Sequence, residues 1–317
     1  MTNTIKDVDE IKQEVNDIVI NVDEVKRNVM ILKKDIENEQ KIDGDKLLSE
    51  TKNADHSTIL PNGITITSKG GEELGCPQKN SEISAIYAFN NGYDGYRINV
   101  CKTRDGILVC SHDESINHIA RNKDGTEIKE EVIISEHTLH DLNAYDFGIK
   151  YGEEYSGLKI TKFEDMVARI AKLGLRLDIE WKEPESEKTD FEYNYDAISK
   201  NGNSNKKWHW IGYEKKYFDW FRDVCDYVDV EVLINPSNID WDLVNYAISP
   251  NHDVIVGYWQ SRIGEEDIVR LHKLNIKQNR GTAANIEALI ADIESGVTEL
   301  EACFSNPKEA LIEYATT

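Results

Sequence analysis

From residue 64 to the end of this 317-residue chain, short β-rich runs alternate with stretches of helical period. Strands are expected at Ile64 to Thr67, Tyr96 to Val100, Leu175 to Trp181, Val230 to Ile234, Val254 to Trp259, Ile276 to Asn279 and Val297 to Phe304. Helices are expected near 80–91, 161–173, 213–227, 239–248, 264–274, 283–295 and 307–315. Strands separated by helices are joined by crossovers, which make parallel sheets. About 250 residues of such alternation suit a TIM (β/α)8-type barrel, with an open doubly wound sheet as the alternative. Only seven runs read cleanly as strands, so the eighth is expected within residues 183–212 or as an irregular strand.

Two segments depart from the alternation. Residues 102–113 read as a hairpin turning at Asp105-Gly106. Residues 183–212 read as an insertion rich in aromatics: Phe191, Tyr193, Tyr195, Trp208 and Trp210. An insertion after the third strand of a barrel lies on the C-terminal face, where binding sites sit. Exposed Trp208, Trp210 and Tyr193 there would stack on sugar rings, or else cover an extra helix or contact a neighbouring protomer.

The N-terminal segment obeys a different period. Val8, Ile11, Val15, Ile18, Val22, Val25, Val29, Leu32 and Ile36 recur at spacings of three and four, the seam of a left-handed coiled coil. β-Branched residues at both seam positions favour three or four strands over two. The expectation is a homotrimeric stem over residues 1–40, a connector over 41–62 containing the turn signal Pro61-Asn62-Gly63, and a barrel over 63–317.

A formal charge of -22 argues against a nucleic-acid binder and against attraction to an anionic membrane. No apolar run approaches the length of a membrane span, and no basic-then-apolar leader follows Met1. Synthesis in a bacterial cytoplasm without a signal peptide is expected. Five cysteines (Cys76, Cys101, Cys110, Cys225 and Cys303) form no CxxC pair. A local bridge between Cys101 and Cys110 is conceivable, and small buried thiols are the plainer expectation.

Gly92 to Asp113 contains a glycine-led turn, the strand Tyr96-Arg97-Ile98-Asn99-Val100, the turn Thr103-Arg104-Asp105-Gly106, and a hairpin ending in His112-Asp113. Leu177-Asp178-Ile179-Glu180-Trp181-Lys182 follows, preceded by Lys159 to Asp165 at a helix start. In these stretches the chain resembles the glycerophosphodiester phosphodiesterase family, whose members are TIM barrels related to phospholipase C. The resemblance implies phosphodiester cleavage by two histidines acting as acid and base, with a divalent metal held by carboxylates.

The matches are partial. Where the family places "H-R-G" the chain has Ser68-Lys69-Gly70, and where it places "E-N-T" the chain has Lys79-Asn80-Ser81. The metal-binding "E-x-D" of strand two reads Arg97-Ile98-Asn99, while His112, Asp113, Glu180 and Lys182 match. A guanidinium about 4 Å from a cation repels it by roughly 4 kcal/mol at an effective dielectric near 20. These departures imply no bound cofactor, degenerate metal positions at Arg97, Asn99 and Glu180, and a remnant of His112, Glu180 and Lys182. Arg97 either pairs with Glu180 or swings to solvent and leaves Glu180 to Lys182. Lys69, Arg97, His112 and Lys182, with the aromatics above, become ligand-binding candidates.

Stem and barrel together suggest a phage-tail or tailocin component, its final place a virion or tail-like particle. Its stem would join other tail or baseplate proteins, and a non-cutting barrel would recognise host cell-wall polysaccharide or teichoic acid. Two readings stay open: an active phosphodiesterase on wall polymer using a rearranged site around His112 and Glu180, and a purely structural tail subunit.

Overall fold

The computed structural model describes residues 60, 64–71, 78–182, 187–201, 208–259 and 263–316. The heptad seam from Val8 to Ile36, nearly all of the connector and Cys76 lie outside the described residues.

Among the described residues nine strands form one sheet: β1 (Thr65–Lys69), β2 (Gly95–Lys102), β3 (Leu108–Cys110), β4 (Arg176–Trp181), β5 (Trp208–Gly212), β6 (Val230–Leu233), β7 (Val254–Trp259), β8 (Lys277–Ala283) and β9 (Glu299–Ala302). Their order is β1-β9-β8-β7-β6-β5-β4-β2-β3, and β1 also pairs with β2. That last pairing closes eight parallel strands into a barrel, with β3 an antiparallel arm. β2 serves both neighbours because it is long: Gly95 to Arg97 pair with β1, and Val100 to Lys102 with β3. The turn between β2 and β3 holds Gly106 at φ +80°, with its N–H donating to the Thr103 carbonyl at 2.9 Å. An L side chain rarely adopts that backbone.

Among the described residues eight helices of seven residues or more accompany the strands: α1 (Glu82–Asn90), α2 (Phe163–Leu173), α3 (Lys188–Lys200), α4 (Lys215–Cys225), α5 (Trp241–Ala247), α6 (Glu265–Lys273), α7 (Ile286–Glu294) and α8 (Pro307–Thr316). α1 starts at a capping box, in which Ser81 and Ser84 each accept the other's backbone N–H. α2 buries Phe163, Met166, Val167, Ile170 and Leu173, which fall on one face at helical spacing.

The aromatic segment holds the eighth strand within the residues expected for it, and corrects the reading of exposed tryptophans. It supplies helix α3 and the eighth barrel strand, β5. Trp208 and Trp210 are 2% and 0% exposed, so neither is a sugar platform. Period-two geometry is the cause: both project outward from β5 into the helix layer, while His209 points inward to the barrel. Trp210 stacks on Phe221 with centroids 4.8 Å apart, and Phe191 of α3 packs on Trp181 and Trp210. Tyr193, on the exposed side of α3, donates to Glu164 of α2 at 3.1 Å.

Cys101 and Cys110 are free thiols. In the β2–β3 ladder Cys110 faces Val100, so the two sulfurs project from opposite faces. Cys110 joins the barrel–helix core, whereas Cys101 joins a second apolar cluster with Val109, Ile116, Ile119, Ala120, Val132, Phe147 and Ile160. This satellite core supports a lobe built from residues 111–161. The lobe is pinned by buried Asp146, which accepts backbone N–H groups from Gly148 (2.8 Å), Ile149 (2.9 Å) and Gly157 (2.7 Å). Burial disfavours its charge, but these donors and Ser156 outweigh burial and hold its carboxyl below the usual range. Gly148 admits no side chain, because a Cβ there would meet the Tyr155 carbonyl at 1.7 Å.

Candidate active site

The barrel interior is polar, in contrast to its apolar outer face. In β4 the alternation Arg176-Leu177-Asp178-Ile179-Glu180-Trp181 sends the charged residues inward. At the N-terminal end Arg176 bridges Asp178 (2.8 Å) and Glu299 (2.6 Å). Above it His209 lies between two buried carboxylates, with Nδ1 3.2 Å from Asp178 and Nε2 3.2 Å from Glu231.

Arg97 occupies the next layer and is 6% exposed. Its Nε and Nη2 donate to Glu180 Oε2 at 3.1 and 2.8 Å. Its Nη1 donates to Glu301 and stands 3.7 Å from Glu231. Burial works against the cation, yet Glu301, Glu180 and Glu231 together raise its pKa well above the usual value. Glu180 is saturated as well: Oε2 also accepts from Asn99 Nδ2 at 2.7 Å, and Oε1 meets Lys182 Nζ at 2.9 Å. Burial would raise the Glu180 carboxyl, but Arg97 and Lys182 hold it down at about 2.

These residues do not fit a divalent metal. Hard cations need several free anionic oxygens. Here the carboxylates converge on a guanidinium, the strand-two positions are Arg97 and the neutral Asn99, and Asn99 spends its amide on Glu180. Among the described residues no group of three or more His, Cys, Asp or Glu side chains is disposed to hold a metal ion.

The open space lies above this layer, between the barrel mouth and the lobe. One cavity of about 490 Å³ is lined by His112, Asp113, Ser115, His118 and Lys182, together with the acids Glu114 and Glu131. A second, of about 460 Å³, shares His112, Asp113 and His118 and continues to Lys79, Lys150 and Tyr151. Lys69 and Arg97 line a separate hollow of about 20 Å³, with Trp259, Glu231 and Glu301 in its walls. That is room for one water. The Nδ1 of His112 is 2.8 Å from Asp113, and both side chains are roughly half exposed.

The structure therefore brings His112 and Lys182 to one cavity, with Glu180 bound to Lys182 beneath, and sets Lys69 and Arg97 in the hollow beside it. It does not bring Trp208, Trp210 or Tyr193 into these walls. Sequence reasoning missed His118, Glu231 and Glu301. The two glutamates had a readable signal: in Val230-Glu231-Val232 and Glu299-Leu300-Glu301, acids alternate with apolar residues, so one face of the strand must be charged. His118 had none, since it lies in an irregular loop.

Residues 77–220 match the model of the Glycerophosphoryl diester phosphodiesterase family. The barrel has the glycerophosphodiester phosphodiesterase fold. A glycerophosphodiester phosphodiesterase of Caldanaerobacter subterraneus is 32% identical over 108 residues, which cover 33% of this chain and 41% of that relative's length. The chain thus matches well under half of that curated relative. An Oleispira antarctica phosphodiesterase, solved with the product sn-glycerol-3-phosphate, superposes with a TM-score of 0.67 at 15% identity, over 78% of this chain and 96% of that one. A glycerophosphodiester phosphodiesterase of Agrobacterium tumefaciens gives 0.58 at 12% identity, over 77% and 98%.

These matches overturn the tail-component expectation. The matching family model and the curated relative are phosphodiesterases, the solved neighbours share the barrel's fold, and nothing in them supports a virion or tailocin subunit.

Proposed function

We propose that the chain is a glycerophosphodiester phosphodiesterase-type enzyme whose reaction runs without a divalent metal. One observation carries the reading: His112, His118 and Lys182 line one cavity at the C-terminal mouth of a barrel of this fold. That face is where barrel enzymes place their chemistry.

Phosphodiester hydrolysis needs a base for the attacking water, an acid for the departing alkoxide and positive charge at the phosphoryl oxygens. In the proposed reaction the water oxygen bonds to phosphorus as the P–O bond to the leaving alcohol breaks. One histidine takes the proton from water and the other gives a proton to the alkoxide. Asp113 holds the Nδ1 edge of His112, which leaves Nε2 for transfer. His118 supplies the second imidazole. Lys182, oriented by Glu180, supplies charge to the phosphoryl oxygens. Arg97 does not touch substrate in this scheme: it offsets part of the negative charge of Glu180, Glu231 and Glu301 beneath the mouth.

The test is release of sn-glycerol-3-phosphate from simple glycerophosphodiesters. Replacing His112 by Ala is expected to lower kcat at least about 100-fold, the usual share of a general acid or base. His118→Ala is expected to do the same and to remove one limb of the pH–rate profile. Full activity in both variants would refute the assignment.

A further inference from the structure

The two histidines of the cavity are aimed in different ways. His112 is held by a side chain, with Nδ1 2.8 Å from Asp113. His118 is held through its backbone. The N–H groups of Ile119 and Ala120 both donate to the Ile116 carbonyl, at 3.0 and 2.9 Å, so Asn117 and His118 are the central residues of a tight turn. The His118 carbonyl also accepts from Lys150 Nζ.

The Asn117 amide clamps that turn. It uses all four of its hydrogen-bonding positions, two as acceptor and two as donor. Oδ1 accepts the Val132 N–H at 2.9 Å and the Ser115 hydroxyl at 3.1 Å. Nδ2 donates to the carbonyls of Ile128 at 3.2 Å and Glu130 at 2.8 Å. These partners fix which way the amide lies, because an N–H must meet its oxygen and the carbonyls its nitrogen. Beside it Ser115 and Ile133 pair antiparallel, with the Ile116 N–H on the Val132 carbonyl at 3.1 Å and the Ile134 N–H on the Glu114 carbonyl at 2.8 Å. Two stretches of the cavity lining are thereby joined: one carries Ser115 and His118, the other Glu131 and Ile133.

We infer that Asn117 is the positioning residue for His118: by clamping the 116–119 turn to residues 128–132 it sets where that imidazole meets the substrate. The inference rests on the phosphodiesterase reading, in which His118 transfers a proton. Proton transfer needs the imidazole within hydrogen-bond reach of the reacting oxygen, and a misplacement of about 1 Å costs up to about 100-fold in rate.

The test compares Asn117→Ala and His118→Ala, singly and together, in the full chain. Thr138→Ala is the control, since it uncaps the helical turn Leu139–Leu142 of the same lobe. Asn117→Ala is expected to lower kcat about tenfold at nearly constant KM, a part of the roughly 100-fold or more that a general acid or base supplies. In the His118→Ala background it is expected to lower kcat no further, because it acts only through that imidazole. Thr138→Ala is expected to keep its kcat. Asn117→Asp keeps the acceptor for Val132 and Ser115 and gives up both donors; it is expected to fall between Asn117→Ala and the wild type, and it decides the matter if the alanine variant does not fold. The imidazole proton resonances read the same contact without turnover. That of His118, assigned by its loss in His118→Ala, is expected to move in the Asn117 variants, and that of His112 to stay. Full kcat in the Asn117 variants, an equal loss with and without His118, a loss matched by Thr138→Ala, or an unmoved His118 resonance would overturn the inference. Full kcat in His118→Ala, or no turnover by the wild type, refutes the phosphodiesterase reading instead, and the resonance then still decides whether Asn117 orients His118.

Discussion

The two faces of strands β4 and β5 are built on opposite principles. Outward, Trp181, Trp208 and Trp210 meet Phe191 and Phe221 in a nearly dry aromatic layer. Inward, Asp178, Glu180 and His209 join Arg97, Arg176, Glu231 and Glu301 in a buried ionic stack. The outer layer gains from removing apolar area from water, which is insensitive to pH. The inner stack is worth something only while every charge keeps its partner. The outer face therefore supplies stability, and the inner face sets the electrostatics beneath the site.

The largest expected effects separate the two faces directly. Trp210→Ala should cost about 3–5 kcal/mol in urea unfolding, nearly constant between pH 4 and 8, because it opens a cavity. Arg97→Ala should cost about 3–5 kcal/mol at pH 7, because it removes the buried cation that Glu180, Glu231 and Glu301 share. That cost should shrink as acid protonates the carboxylates. An equal pH dependence for the two variants would break the distinction.

The wild-type chain should show the same asymmetry on acidification. The Glu180 carboxyl is held at about 2, below its ordinary 4.5. Its contribution is therefore fully present above about pH 4.5 and is lost as pH falls toward 2. Asp178 and Glu231 are shifted in the same direction: burial opposes both, but Arg176 and His209 outweigh it at Asp178, and His209 and Arg97 at Glu231. In Arg97→Ala this acid transition should flatten. A wild-type urea midpoint that does not move between pH 5 and 3 would contradict it.

Asp146→Ala should have a smaller effect, about 1–3 kcal/mol, by unpairing the backbone N–H groups of residues 148, 149 and 157. Hydrogen exchange should quicken in the lobe and not in the barrel strands. Tyr193→Phe should change stability by less than about 0.5 kcal/mol, since it removes one exposed hydrogen bond to Glu164. Loss of activity in that variant would return Tyr193 to the site.

The barrel was legible because seven strands carry β-branched or apolar runs between helical patterns, and six of the seven helices expected lie within two residues of their observed bounds at both ends. The eighth strand was legible only to within residues 183–212, because Trp208-His209-Trp210-Ile211-Gly212 is too aromatic and too close to a polar stretch to stand out as a run of its own. Its alternation was nonetheless present, and it would have sent the tryptophans outward. α3 was missed for a related reason: Asp190, Asn194 and Asp196 dilute a face on which Phe191, Ala197 and Ile198 are buried. The pairing of Arg97 with Glu180 was one of the two arrangements the sequence offered, and it runs diagonally between neighbouring strands, since in register Arg97 faces Asp178 and Glu180 faces Asn99. The additional hold of Glu301 and Glu231 on Arg97 depends on barrel closure, which joins residues over 100 positions apart.

In the proposed reaction the Arg97 guanidinium stands where a metal would otherwise work, and cleavage proceeds without one. Protein stripped of metal, assayed with chelator present for sn-glycerol-3-phosphate release from a glycerophosphodiester, decides the matter. The expected result is an undiminished rate that does not respond to added magnesium or calcium. No release under any condition, or release that appears only when a divalent ion is restored, would contradict it.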